Sequence, residues 1–471
     1  MCAVVWVSSS SCKKQQLLES GGDIRFSEDT VAFDTVFTAL GSATQIVKIF
    51  NKQDQKIVLS SVRLENGQTS FFSLNVDGKQ GKAVSDIEIG ANDSIYVFAT
   101  VKVDPTSENT PFIIEDRLIA TLNGNDFSIP MMAYGQNAHF VTDSVLSTQT
   151  WGDKDTKPYV VFGYAVVDSA ETLTIAKGCR IYMHANARLF VAGTLKAIGT
   201  KQDSIIFQGD RLDRRYYGFE GYPGEWGGLY FTEHSVNNEL RHVILQNGGN
   251  AAQGAPAAMI EVAPNLVAGQ DYQLTLDDVI IRNSNGYGLL SFAGSIKATN
   301  CLMHSCGANT LALVQGGYYS FDHCTIATYG NSKISHNDNS AAIILNYFVD
   351  ANKNIHVSPL SAMLRNCIIS GSLSNELVAD DTNLAPSSFS FINCAMRADK
   401  SKLKPAVVNT NPVFLAPGPS FDSLFRNIAR DDYHLTSSSP VIGKGAPIGV
   451  TLDMDDKLRS LTAPDIGCYE H

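Results

Sequence analysis

Between Arg211 and Trp226 the chain places three arginines (Arg211, Arg214, Arg215) and five aromatic residues (Tyr216, Tyr217, Phe219, Tyr222, Trp226) within 16 positions, against 9% aromatic residues overall. Guanidinium groups grip carboxylates through two parallel hydrogen bonds, and flat rings stack on the apolar faces of sugars. That combination suits an acidic glycan. Arg211, Arg214, Arg215, Tyr216, Tyr217 and Trp226 are therefore the candidate glycan-binding residues. The competing reading is that Tyr217, Phe219 and Trp226 cover an apolar edge while the arginines are solvated.

Catalytic sets are harder to find. Hydrolysis of a uronate polymer needs carboxylates serving as acid and base around one water. Asp277-Asp278 is present, but no Asn-Thr-Asp or Gly-His-Gly grouping accompanies it. A lyase needs a Lys or Arg base beside a calcium held by carboxylates, and the doublets Asp380-Asp381 and Asp431-Asp432 lack diagnostic spacing for that. Asp453, Asp455 and Asp456 resemble part of a calcium loop, without the bidentate Glu such a loop requires. No catalytic residue and no metal ligand is assigned, and calcium is the one cofactor left open.

The elements that must carry these residues are set by a repeat. A five-residue phrase recurs as Arg241-His242-Val243-Ile244-Leu245, Asp277-Asp278-Val279-Ile280-Ile281, Thr299-Asn300-Cys301-Leu302-Met303, Asp322-His323-Cys324-Thr325-Ile326, Arg365-Asn366-Cys367-Ile368-Ile369 and Ile392-Asn393-Cys394-Ala395-Met396. The central residues are spaced by 36, 22, 23, 43 and 27 positions. Steps of 22 and 23 fit one coil of a three-sided parallel β-helix, and longer steps fit a coil plus a loop, or two coils for the longest. Equivalent positions then stack about 4.8 Å apart. The third position becomes a buried column of Val243, Val279, Cys301, Cys324, Cys367 and Cys394, with cysteine acting as a small apolar residue. The preceding residue, often Asn, falls at a corner where a left-handed backbone is tolerated. This accounts for four of the nine cysteines without disulfides, because stacked thiols run parallel and do not point at one another.

Residues 24–140 read differently. Short strands such as Gln45–Phe50, Ser94–Phe98 and Arg117–Leu122 alternate with turn formers at Asn66-Gly67, Asp77-Gly78 and Asn123-Gly124, the pattern of an antiparallel sandwich.

The phrases Leu173–Gly178, Gly193–Thr200, Ser204–Phe207 and Trp226–Phe231 resemble the right-handed parallel β-helix proteins of the pectin-lyase-like superfamily. Residues Ser439–Ile442 and Asp453–Glu470 are similar to the ends of bacterial β-helix proteins that carry varied surface anchors. The sandwich segment resembles bacterial immunoglobulin-like modules. Met1–Val7, the serines Ser8 to Ser11 and Cys12 resemble a bacterial lipoprotein signal, which implies acylation of Cys12. The expected architecture is thus all-β: a leader and tether at 1–23, an immunoglobulin-like β-sandwich at 24–140, a right-handed three-sided parallel β-helix at 141–400, and final coils with a cap at 401–471.

With 471 residues, 44% hydrophobic and 18% charged, the chain has ample material for a core. Its net charge of -11 repels phosphate backbones and anionic lipid, so nucleic acid is excluded as a partner and membrane contact is expected only through a lipid anchor. The expectation is a non-catalytic cell-envelope protein, in an outer-membrane lipoprotein or cell-surface setting, that binds an acidic glycan or another envelope protein. The alternative is a polysaccharide lyase or glycoside hydrolase acting on an acidic polysaccharide.

Overall fold

The structure, a computed structural model, describes residues 16–38, 40–105, 112–212, 221–251, 256–267, 269–404, 407–416 and 423–471. The chain is all-β and forms two compact units, the first ending at Asn137 and the second beginning at Ala138.

The N-terminal unit is a sandwich of two five-stranded sheets. One holds strands Ile24–Phe26, Gln45–Asn51, Ser94–Val101, Phe72–Val76 and Lys79–Gly81, and the other Val31–Phe37, Asn125–Gln136, Phe112–Leu122, Ile57–Leu64 and Ala83–Ile89. Among these ten strands all pairings are antiparallel except that of Val31–Phe37 with Asn125–Gln136. Alternating residues such as Val47, Ile49, Leu59, Val97 and Leu122 meet in the core. Two hairpins close through Asp77-Gly78 and Asn123-Gly124, all four residues at positive φ, as tight primed turns demand.

The C-terminal unit is a three-sided parallel β-helix. Face one is a ten-stranded parallel sheet from Gln149–Trp151 to Val407–Thr410. Face two runs from Arg180–Met183 to Val413–Phe414, and face three from Arg188–Val191 to Leu377–Asp380. The phrase found in the sequence is the corner between faces one and two. His242, Asp278, Asn300, His323, Asn366 and Asn393 all take left-handed backbone, with φ between 46° and 53°. The next residues, Val243, Val279, Cys301, Cys324, Cys367 and Cys394, are fully buried in one core cluster. Burial pushes the Cys324 thiol up, and the described cysteines are all free. The 43-residue step is a single enlarged coil: Thr325–Thr328 pairs directly with Ile368–Gly371, and the surplus includes the hairpin Tyr347–Val349/Ile355–Val357.

The C-terminal segment departs from expectation. The sequence suggests that Asp465–Glu470 closes the last coil, yet residues 423–471 run back along the outside of face two. There Leu302, Ala327, Ile368 and Ala395 point outward into a second core with Phe425, Tyr433, Val441, Ile466 and Cys468. The corner asparagines bind this strap: Asn393 Nδ2 donates to Lys444 O at 3.1 Å, Asn366 Nδ2 to Ala446 O at 2.8 Å and Asn300 Nδ2 to Leu452 O at 3.0 Å. Lys201 reaches Asp455 at its far end. The physical reason is the apolar outer surface of face two, which would otherwise face water.

Candidate functional site

A cleft of about 560 Å³ opens where the strap leaves face two uncovered. Its floor is made by Gln246, Asn247, Arg282, Asn283 and Ser305, one wall by Tyr329–Lys333, and the other by Ile428, Ala429, Asp431 and Tyr433. All of these residues belong to the C-terminal unit.

The floor follows from β-helix register. Gln246 stands opposite Arg282, and Arg282 opposite His304, on successive strands of face two. Such outward positions stack into a row, which hydrogen bonds lengthen: Gln246 Nε2 donates to Gln208 Oε1 at 2.6 Å, and Arg282 Nη2 and Nε donate to Gln246 Oε1 at 2.8 and 3.0 Å. Arg282 Nη1 also reaches Asp431 Oδ2 of the strap at 3.3 Å. One position further on, Asn247, Asn283 and Ser305 form a second left-handed ladder, with φ of 63°, 56° and 55°. Asn283 Nδ2 donates to Asn247 Oδ1 at 2.5 Å. The Oδ1 of Asn283 finds no partner among the described residues.

Beneath the floor lies His304, buried against the ring of Tyr433 at 4.5 Å and 3.6 Å from Asp431 Oδ1. Burial first, and the Arg282 charge second, drive its pKa down to about 3. The imidazole is therefore neutral, and Asp431 has its cationic partner in Arg282. In the wall, Tyr329 exchanges a hydrogen bond with Ser370 Oγ at 2.6 Å, and burial raises its phenol to about 12. Behind that wall His336 Nε2 lies 3.0 and 3.1 Å from the two oxygens of the buried Glu376 carboxylate, which also accepts the Ala341 and Leu373 amides.

Of the sequence-derived candidates, Arg214, Arg215, Tyr216 and Tyr217 lie outside the described residues, as does Cys12. Arg211 is exposed on the coil. Trp226 is not on the surface: it is fully buried, stacks at 6.4 Å from Phe207 and donates its indole N–H to Gln246 O at 2.8 Å. An apolar ring at the start of an inward-facing strand gains more from the core than from water, so Trp226 cannot offer a face to a sugar. The end of the segment does reach the cleft. Gly221 O accepts from Lys333 Nζ at 2.6 Å, the Lys333 ammonium sits 5.0 Å from the ring centre of Tyr222, and Gly221 lies so close to Asn247 that any side chain would collide with it.

The acidic doublets have structural partners. Lys404 Nζ binds Asp380 at 2.5 Å and Asp381 at 3.0 Å. Asp277 lies 3.4 Å from Arg241, and Asp278 occupies the left-handed corner. Asp432 and Asp455 hold the two nitrogens of His434, each at 2.6 Å. Asp453 spends its oxygens on the backbone amides of Asp455, Lys457 and Glu470, between 2.7 and 2.8 Å. Among the described residues no three His, Cys, Asp or Glu side chains come together as a metal set, and no helix is long and apolar enough to cross a membrane. Gln246, Asn247, Arg282, Asn283 and Lys333 were not singled out by the sequence.

No protein-family description and no curated protein matches the chain. Several solved structures overlap it in part. One is a family 123 glycoside hydrolase from Clostridium perfringens studied for glycolipid glycan hydrolysis (8% identity, 24% of this chain and 25% of that one, TM-score 0.18). Another is the catalytic domain of a GH87 α-1,3-glucanase in complex with tetrasaccharides (9% identity, 77% of this chain and 90% of that one, TM-score 0.18). The overlap thus spans about a quarter of the first protein's length. Neither overlap is close enough to bear on what this chain does.

Proposed function

We propose that this is a glycan-binding β-helix protein of the cell envelope, and that it holds an acidic oligosaccharide in the cleft of its C-terminal unit. The observation that carries the reading is the cleft lining. Among the described residues the lining holds two cations, Arg282 and Lys333, and one carboxylate, Asp431, together with amides from Gln246, Asn247, Asn283 and Asn331. Two cations against one anion, in a chain of net charge -11, favour an anionic ligand at this place. The amides supply the paired donors and acceptors that sugar hydroxyls use. Tyr222, whose ring centre lies 5.0 Å from the Lys333 ammonium, offers a ring beside the cleft. Acid–base hydrolysis by two carboxylates would need a second one at about 5–10 Å; among the described residues only Asp431 lines the cleft. Acylation of Cys12 would tether the protein at the surface, and intact-mass measurement on native-host material checks it: an unprocessed, unmodified N-terminus removes the tether.

The binding test is an acidic-oligosaccharide array followed by calorimetry. At least one uronate-containing glycan should bind, and Arg282→Ala and Lys333→Ala should each weaken it by roughly tenfold, the loss of one charge-assisted contact. No binding to any acidic glycan, or variants that bind like the wild type, would sink the reading. Release of unsaturated products or reducing ends from a polyuronate would replace it with the enzymatic alternative.

A further inference from the structure

The first sheet of the N-terminal unit presents an unusual outer face. Register places Ile46 opposite Phe98, Phe98 opposite Asn75, and Asn75 opposite Gln80. Lys48 stands opposite Tyr96 in the next row, and Thr100 opposite Ser73 in the row on the other side. Solvent-facing positions of an antiparallel sheet are ordinarily polar. Here Ile46, Tyr96 and Phe98 are 52%, 45% and 37% exposed. The Tyr96 and Phe98 rings lie 6.1 Å apart and are inclined by only 18°. Beside Phe98 the face is concave, with about 910 Å³ lined by Thr44, Ser73, Asn75, Gln80 and Thr100 among others. Asn75 Oδ1 finds no hydrogen-bond partner among the described residues. Among the described residues Lys82 is the one ionisable group in this lining, and its ammonium is turned inward to the carbonyls of Ser70 and Phe72 and to Ser73 Oγ.

We propose that this face is a second carbohydrate site, for a neutral polysaccharide, separate from the acidic-glycan cleft. Rings beside a bowl of hydroxyls and amides match a sugar, which has an apolar C–H face and a polar edge. A uronate would need a cation directed at it; Lys82 is turned inward, and Lys48, the cation of the neighbouring row, lies over the Tyr96 ring at 4.7 Å from its centre and not over the bowl beside Phe98. A protein partner covering the face with apolar side chains would strand the lining's hydroxyls and amides at a cost of about 1–3 kcal/mol each, whereas sugar hydroxyls satisfy them.

The test is affinity electrophoresis of the full chain through gels containing a neutral β-1,3-glucan, a xylan, a mannan or a starch. At least one should retard the protein. Phe98→Ala and Asn75→Ala should each weaken retardation tenfold or more with an unchanged melting temperature, and Phe98→Trp should retain it. If Phe98→Ala lowers the melting temperature, Asn75→Ala decides. Arg282→Ala should leave retardation intact; its loss in that variant would assign the binding to the cleft and overturn the proposal. Retardation by none of the four, or equal retardation of Phe98→Ala and Asn75→Ala, also overturns it. So does self-association, seen by sedimentation, that Phe98→Ala abolishes while no gel retards the protein: that face would then be a protein contact.

Discussion

The guanidinium of Arg459 donates through Nη2 to the Oδ1 of Asn300 at 2.9 Å, although the two residues are 159 positions apart. The same Asn300 holds a left-handed corner of the β-helix, and its Nδ2 donates to Leu452 O at 3.0 Å. Arg459 completes its set with Gly467 O at 3.1 Å and Glu470 Oε2 at 3.4 Å, in a spot where neither charged side chain meets much water.

Replacing Arg459 with Ala should therefore cost about 3–5 kcal/mol, because it leaves the Glu470 carboxylate buried without its cation. Denaturant unfolding of the C-terminal unit measures it. A loss below about 1 kcal/mol would show that the strap is held by its apolar contacts alone.

Asp278 is the misfit of the corner ladder. Burial, and then the neighbouring Asp277, raise its pKa to about 7, against an unfolded value near 3.9. A folded-state pKa above the unfolded one gives stability that is present at low pH and lost as pH rises through 7. Asn300, Asn366 and Asn393 occupy equivalent corners with φ of 53°, 53° and 52°, so Asn fits there without strain. Asp278→Asn should raise the melting temperature by about 2–4 °C at pH 8, by less at pH 5, and leave it nearly unchanged at about pH 3, because the loss accumulates between the unfolded and folded pKa values. A shift of equal size at all three pH values would discount ionisation as the cause.

His304 works in the opposite direction. With its folded pKa pushed down to about 3, the unfolded chain binds a proton below about 6.5 that the folded chain does not. Stability should therefore fall as pH drops from about 6 toward 3, and His323, also lowered to about 3, adds to the slope. His304→Gln should flatten the melting temperature profile between pH 6.5 and 4. Profiles that stay parallel in wild type and variant would exclude His304 as its source.

The buried column predicts a sharp contrast at Cys324. Val243 and Val279 fill the same position in earlier coils of the column, so Cys324→Val should cost under about 1.5 kcal/mol. Cys324→Asp buries a charge with no partner and should cost more than about 4 kcal/mol. Expression and chemical denaturation of both variants distinguish them, and a well-folded Asp variant would contradict the inward placement.

This column was legible because each coil repeats the same demand: one left-handed corner, then one small inward side chain. Asn366-Cys367 and Asn393-Cys394 show it in adjacent letters. The cleft was not legible, because β-helix stacking constrains inward residues and leaves outward ones free. Gln246, Arg282 and His304 share a row but no residue type. Asp431 meets Arg282 only because the strap returns, and no local pattern announces a contact 149 residues away. Trp226 misleads for a related reason. Its neighbours in sequence are polar and aromatic, whereas its environment is set by the strand that begins just after it.

The strap also changes how the β-helix comes apart. A stack of coils held only by nearest-neighbour contacts can fray from either end, with a free energy that adds coil by coil. Here one segment spans the stack from Asn393 back to Lys201, joining positions up to 254 residues apart. Such distant pairings slow folding, since the chain must order a long loop before gaining the contact. Once made, they tie early coils to late ones. Opening a coil beneath the strap means lifting the strap from its neighbours as well, so the unit trades the gradual melting of a solenoid for the all-or-none unfolding of a small domain.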